Sequence, residues 1–265
     1  MSPATSVDPS FPARAGRAAH LAYGASAAGL GVLCLIAGDL AYVFQPLPRW
    51  MPLRAGLAYV SGAVLVAAGV ALLARRTTRL AAVVLTVHFA AWLLLCDVPA
   101  TLARPGVVGN WEGCGLVMTV IAGGWILLAR SSRPADRMAR LRGDRGVRLA
   151  RRLYAAGLPL VGLAHFVNAH EATVYVPAWL PLQIDWVYLT GAGHIAAGLA
   201  ILLGVLPRIA AVLEAAQITA FVILAHIPAV HAAPGDRIQW AMLVYAVAIA
   251  ASAWLVAAES TDRVV

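Results

Sequence analysis

The 265-residue chain is 62% apolar and only 12% charged, against roughly 45–50% apolar for an ordinary soluble domain. All 20 basic residues are Arg, and the net charge is +8. This excludes a disordered chain, a disulfide scaffold and a redox or zinc motif built on paired cysteines, since the three Cys (Cys34, Cys96, Cys114) are scattered. The Arg residues flank apolar runs and form no basic face with interleaved aromatics, so no nucleic-acid partner is expected.

In chain order, residues 1–18 are polar, contain Pro3, Pro9 and Pro12, and read as a loose tail. Eight apolar stretches follow, at 20–44, 56–74, 79–98, 111–129, 149–168, 186–204, 208–227 and 239–258. Each reaches about the 20 residues that a bilayer core requires. The expected fold is an all-α membrane protein of eight transmembrane helices, with the lipid bilayer as its first partner. Residues 131–148 form an Arg-rich linker between its halves, and 259–265 a short tail. With the N-terminus inside, 16 Arg fall on the inner side and 4 on the outer. The positive-inside rule then puts both termini in the cytoplasm of a bacterial-type inner membrane.

The chain also repeats itself. Segment 48–111 aligns with segment 177–240 without a gap, and 24 of the 64 positions are identical. Pro48, Trp50, Pro52 and Leu53 meet Pro177, Trp179, Pro181 and Leu182. Tyr59, Gly62, Ala63 and Gly69 meet Tyr188, Gly191, Ala192 and Gly198. Chance overlap of Ala-rich helices does not put Pro, Trp, Tyr and Gly in register through loops as well. The expected domains are therefore two four-helix repeats, 19–130 and 149–258. Four is even, so both insert the same way up, related by an axis along the membrane normal. The glycines suit the close backbone approach on which helix packing in lipid relies.

Candidate site residues are polar groups within spans, which are costly there and need a reason. His165, His194 and His226, with Asn168 and His231, read as a polar pocket toward the outer side of the second repeat. The alternative is separate interfacial side chains. Neutral imidazole can bind a quinone carbonyl, relay a proton or ligate a metal, but no tight His pair gives a metal motif. Glu214 and Gln217 share a face nearer the cytoplasmic side of the seventh span, and His88 aligns with Gln217. This set reads as a proton relay or as interhelical hydrogen bonding. Cys96 and Cys114 end neighbouring spans and read either as a disulfide pair or as small apolar residues. No hydrolase or P-loop signature occurs, so no catalytic residue is assigned.

The run Gly162-Leu-Ala-His165-Phe166, then Val176-Pro177-Ala-Trp179-Leu180-Pro181, then Trp186-Val-Tyr188-Leu-Thr190-Gly191, then Pro207-Arg208-Ile-Ala210-Ala211 resembles the DoxX-like (DoxX/DoxD) family of four-helix membrane proteins. It covers about 150–235 well and the first repeat more faintly. The resemblance implies a membrane protein in tandem form. Because the wider group includes a thiosulfate:quinone oxidoreductase subunit, it also implies a redox-associated subunit with a quinone or small hydrophobic ligand and a membrane redox partner. The alternative is a non-enzymatic carrier, lipid-binding or assembly protein. Two departures weaken any carry-over of activity. His194 stands where family members often carry Glu, and Pro228-Ala229-Val230 replaces a common Pro-x-Asn.

Overall fold

The computed structural model describes residues 11–41, 43–47, 51–131 and 141–262, and those residues form helices with no strand among them. The tail residues 1–10, Trp50 and most of the Arg-rich linker (132–140) lie outside the described residues. Helix α1 runs Phe11–Ala37, α2 Arg54–Leu72 and α3 Thr78–Trp92. A π-helical turn at Leu93–Asp97 leads into α4, Val98–Ala103, and then α5, Val108–Arg130. The second half holds α6 (Gly143–Val167), a short α7 (Ala169–Ala172) and α8 (Gln183–Leu203). It continues with α9 (Pro207–Phe221), a π-turn at Val222–His226, α10 (Ile227–Ala232) and α11 (Arg237–Ala258).

Among the described residues, seven helices are long and apolar enough to cross a membrane: α1, α2, α3 with α4, α5, α8, α9 with α10, and α11. The fifth expected span, α6, is not among them. It begins at Gly143, inside the stretch read as linker, and winds Arg145, Arg148, Arg151 and Arg152 onto its first turns. Likewise α1 begins at Phe11, inside the stretch read as a tail, because Pro12 is tolerated in a first turn and the Ala-rich sequence after it favours helix.

The two π-turns have a common cause. Pro99 and Pro228 lack the N–H that would bond the carbonyl four residues back, and their rings crowd it. One extra residue in the preceding turn relieves both faults. The bounds of α3, the first π-turn and α4 recur, in the register of the sequence repeat, as those of α9, the second π-turn and α10.

Helices α5 and α11 form the centre, packed on one another and 67% buried in their apolar windows, against 22% for the lipid-facing α9 with α10. Around them α1 packs between α2 and α11, and α6 between α8 and α5. Helices α3 and α9 pack against α5 and α11. The α1–α2 crossing depends on Gly31 and Gly62. A Cβ on Gly31 would stand 2.5 Å from the Gly62 carbonyl oxygen. The α6–α8 crossing repeats this with Gly162 against the Gly191 carbonyl oxygen, also at 2.5 Å. The first helices of the two halves do not keep the register of the later ones. Matched by contacts, Gly31 corresponds to Gly162, Cys34 to His165 and Asp39 to His170, two residues away from the 129-residue shift of the later helices, which would pair Asp39 with Asn168.

Asp39 clamps the end of α1 to the starts of α2 and α11. Its Oδ1 accepts from Arg54 Nε at 2.6 Å, and its Oδ2 from an Arg237 terminal nitrogen at 3.1 Å. The Leu40 N–H adds a third bond at 2.8 Å. Partial burial pushes the Asp39 carboxyl up, but the Arg54 bond and then the Leu40 and Arg237 bonds outweigh it and hold it at about 2.

Two outcomes follow from these contacts. Gly31→Ala should lower the melting temperature in detergent, at an overpacking cost of about 1–3 kcal/mol. Gly56→Ala, with nothing within 4 Å of its added Cβ, should not, and equal melting points for the two would contradict the close crossing. The Asp39 carboxyl titrates from an ordinary 3.8 when unfolded to about 2 when folded. Its stabilisation is therefore full above the unfolded value and lost as pH falls through about 2. Melts between pH 5 and 2 should be steeper in pH for the wild type than for Asp39→Asn.

Candidate functional site

Helices α8 and α9 form an antiparallel hairpin turning at Gly204, which adopts a left-handed φ of 74°. His194 lies ten residues before that glycine and Glu214 ten after, so the hairpin sets them face to face. His194 Nδ1 and Glu214 Oε1 are 2.7 Å apart, with the residues only 3% and 2% exposed. Gln217, one turn beyond Glu214, reaches back across the hairpin. Its Nε2 donates to the Thr190 carbonyl at 3.0 Å and lies 3.2 Å from His194 Nε2.

These contacts fix the imidazole's protonation. A carbonyl only accepts, so the Gln217 atom facing Thr190 is the amide nitrogen, and its second proton points at His194 Nε2. That ring nitrogen is therefore the acceptor. Nδ1 carries the proton and donates it to Glu214. His194 is neutral in this arrangement, and it does not cancel the charge of a Glu214 carboxylate. Glu214 Oε2 is buried and has no hydrogen-bond partner.

His165 on α6 completes the cluster. Its ring meets that of His194 edge to face with centroids 5.1 Å apart, and its Nδ1 is 3.0 Å from the Val161 carbonyl oxygen, to which it donates. Phe221 covers both rings, at 6.0 Å from His194 and 6.5 Å from His165. Tyr154 of α6 has a buried hydroxyl with no hydrogen-bond partner.

The candidate residues are thus regrouped. His165 and His194 come together, and they join Glu214 and Gln217, which counting along the seventh span sets apart toward the cytoplasmic side. His226 instead stands against Tyr175 at 6.4 Å on the second π-turn, Asn168 caps the end of α6, and His231 is exposed on α10. His88 belongs to a separate network in the first half. It takes the Trp92 indole proton at 3.2 Å and lies 3.1 Å from Ser61 Oγ, which accepts from Gln45 at 2.7 Å. Tyr154, Glu112, Gln45 and Ser61 carry no sequence pattern that singles them out. All three cysteines are free, buried thiols, so no disulfide joins Cys96 to Cys114. Among the described residues no His, Cys, Asp or Glu group is arranged to hold a metal ion.

Beside the cluster, a groove of about 890 Å³ runs between α8 and α9. Small residues such as Ala196, Ala200 and Ala210 leave the space. Its walls are apolar, Trp179 and Trp186 stand at one end, and Glu214, Gln217, Thr190 and Gly193 form its polar floor. Leu189 and Leu213 on its rim are 60% and 65% exposed, so it opens sideways. No family model, curated protein or solved structure matches the chain.

The first half is a built-in control. At the positions that the sequence repeat aligns with His194 and Glu214 stand Leu65 and Leu85, both fully buried. An apolar pair is therefore compatible with this packing. His194→Leu or Glu214→Leu alone should cost about 3–5 kcal/mol by stranding a buried polar partner. The double variant should melt at or above the wild-type temperature. A double variant no more stable than the worse single would contradict this assignment.

Proposed function

We propose that the chain is a tandem DoxX-like membrane protein that takes a small hydrophobic molecule from the bilayer into the α8–α9 groove and holds its polar end on the Glu214–Gln217 floor. The groove carries this reading. It is apolar along its walls, polar at one place and open where lipid lies, which is the composition of a small-molecule site.

The tandem architecture has its own support. Arg130, at the end of α5, makes a bidentate pair with Glu259 just beyond α11. A Cβ on Gly123 would collide with Ser252. In the register of the sequence repeat, Arg130 is the equivalent of Glu259, and Gly123 that of Ser252. A residue touching its own equivalent lies on the axis relating the two copies, so these contacts favour two same-way-up halves meeting along α5 and α11. On this reading α6 is the eighth span. Its uncharged stretch Leu153–Val167 covers about 22 Å at 1.5 Å per residue. On the same reading its Arg residues snorkel to the cytoplasmic headgroups, in keeping with both termini on the cytoplasmic face of a bacterial-type inner membrane.

The redox-associated reading that the resemblance implies puts a quinone in the same groove, with a membrane redox partner. Mass spectrometry of solvent extracts from purified protein distinguishes the two. A lipophile should be retained by the wild type and reduced about tenfold or more in Ala196→Trp and Ala220→Trp, which fill the groove. Equal amounts in filled and open proteins would refute groove binding, and a retained quinone would favour the redox reading.

A further inference from the structure

We infer that the groove is built for an amphiphilic amine, whose ammonium group sits against Glu214 and whose alkyl or aryl body lies along the walls between α8 and α9. This rests on the groove reading above and names its ligand class. The first argument is a census of donors and acceptors at the floor. The His194 ring proton is given to Glu214, and both Gln217 amide protons are given away, to Thr190 and His194. The Gln217 Oε1 lies toward Gly193, where an added Cβ would come within 2.5 Å of it. Glu214 Oε2 is buried without a partner. With Glu214 as a carboxylate the floor offers two oxygen acceptors and no spare side-chain donor. An ammonium group supplies donors and charge together, whereas a quinone carbonyl, itself an acceptor, meets a donor there only if Glu214 takes up a proton.

The second argument is charge. The groups facing Glu214 bring it no cation in this arrangement. His194 on α8 is neutral by its contacts. His165 and Tyr154 come from α6, and Glu112 on α5 adds a second carboxyl near the imidazoles. From α11, the other helix packed on α9, Trp254 donates to Thr219. A buried carboxylate without a cation is costly, and a proton or a positive headgroup removes the cost. Trp179, Trp186 and Phe221 along the groove offer ring faces that attract ammonium.

The test measures binding of radiolabelled dodecylamine to the full-length protein in detergent at pH 7, with 1-dodecanol and decylubiquinone as alternative ligands. In Glu214→Gln, which keeps the size of the side chain, amine affinity should fall at least about tenfold through loss of the charge-assisted bond. Retained dodecanol binding by that variant shows that the groove is intact. Unchanged amine affinity in Glu214→Gln overturns the inference, as does a wild type that binds decylubiquinone but not the amine. Both of those results leave the groove reading standing. Amine binding undiminished in Ala220→Trp overturns the groove reading as well.

Discussion

Helices in lipid gain nothing from hiding apolar surface from water, so they hold together by how closely their backbones approach. Among the described residues that constraint is met at glycine crossings that include Gly31 on Gly62, Gly115 on Gly157 and, for the site, Gly162 on Gly191. The crossing of Gly162 on Gly191 also builds the polar cluster. A Cβ on Gly191 would stand 2.6 Å from the His165 Cβ, and one on Gly162 would stand 3.2 Å from the His194 Cβ. The glycines thus do two things at once. They let α6 and α8 touch, and they clear the volume in which two imidazoles meet edge to face. From there the rest follows. His194 is pressed toward α9, Glu214 is met across the hairpin, and Gln217 ties the pair to the α8 backbone.

The two halves show what the scaffold requires and what it does not. The first crossing has the same geometry, yet Cys34, Leu65 and Leu85 occupy the places of His165, His194 and Glu214. Packing is satisfied there with no charge at all. A buried acid–imidazole pair is generally no more stable than apolar residues of the same volume. Stability alone therefore gives no reason for the second half to hold one, and a role in binding does. The polarity at the depth of His88 and Gln217 is different in kind. Each joins its own helix hairpin through hydrogen bonds, His88 to Ser61 and Gln217 to the Thr190 carbonyl, which is a structural use common to both halves.

Much of the architecture is legible in the sequence, because it depends on composition and on residues with strong local preferences. Apolar runs locate the seven membrane-length helices among the described residues, and Pro99 and Pro228 mark where the helices begun by α3 and α9 break step. What escapes is whatever depends on register between segments. The first helix of each half is offset from the helices that follow it, and this is hidden because α1 and α6 share only scattered positions, among them Tyr23 with Tyr154 and Gly31 with Gly162. The start of α6 reads as a linker because Arg is frequent there, although Arg is also a good helix former. The candidate site is legible in parts but not in its assembly. Depth counted along each helix separately puts His194 near one surface and Glu214 near the other. Counting outward from the turn at Gly204 puts both at ten residues, and that arithmetic pairs them.

The pair's tautomer completes the physical account. Had Gln217 been an acceptor toward His194, the imidazole would carry protons on both nitrogens and neutralise Glu214, giving a closed ion pair. The Thr190 carbonyl prevents this by claiming the amide nitrogen, so the ring stays neutral and the carboxyl keeps one oxygen without a partner beside an apolar groove. A buried polar atom left in that state is expensive unless something meets it. In the first half the same depth is closed by leucines, and in the second it is left open to whatever the bilayer supplies.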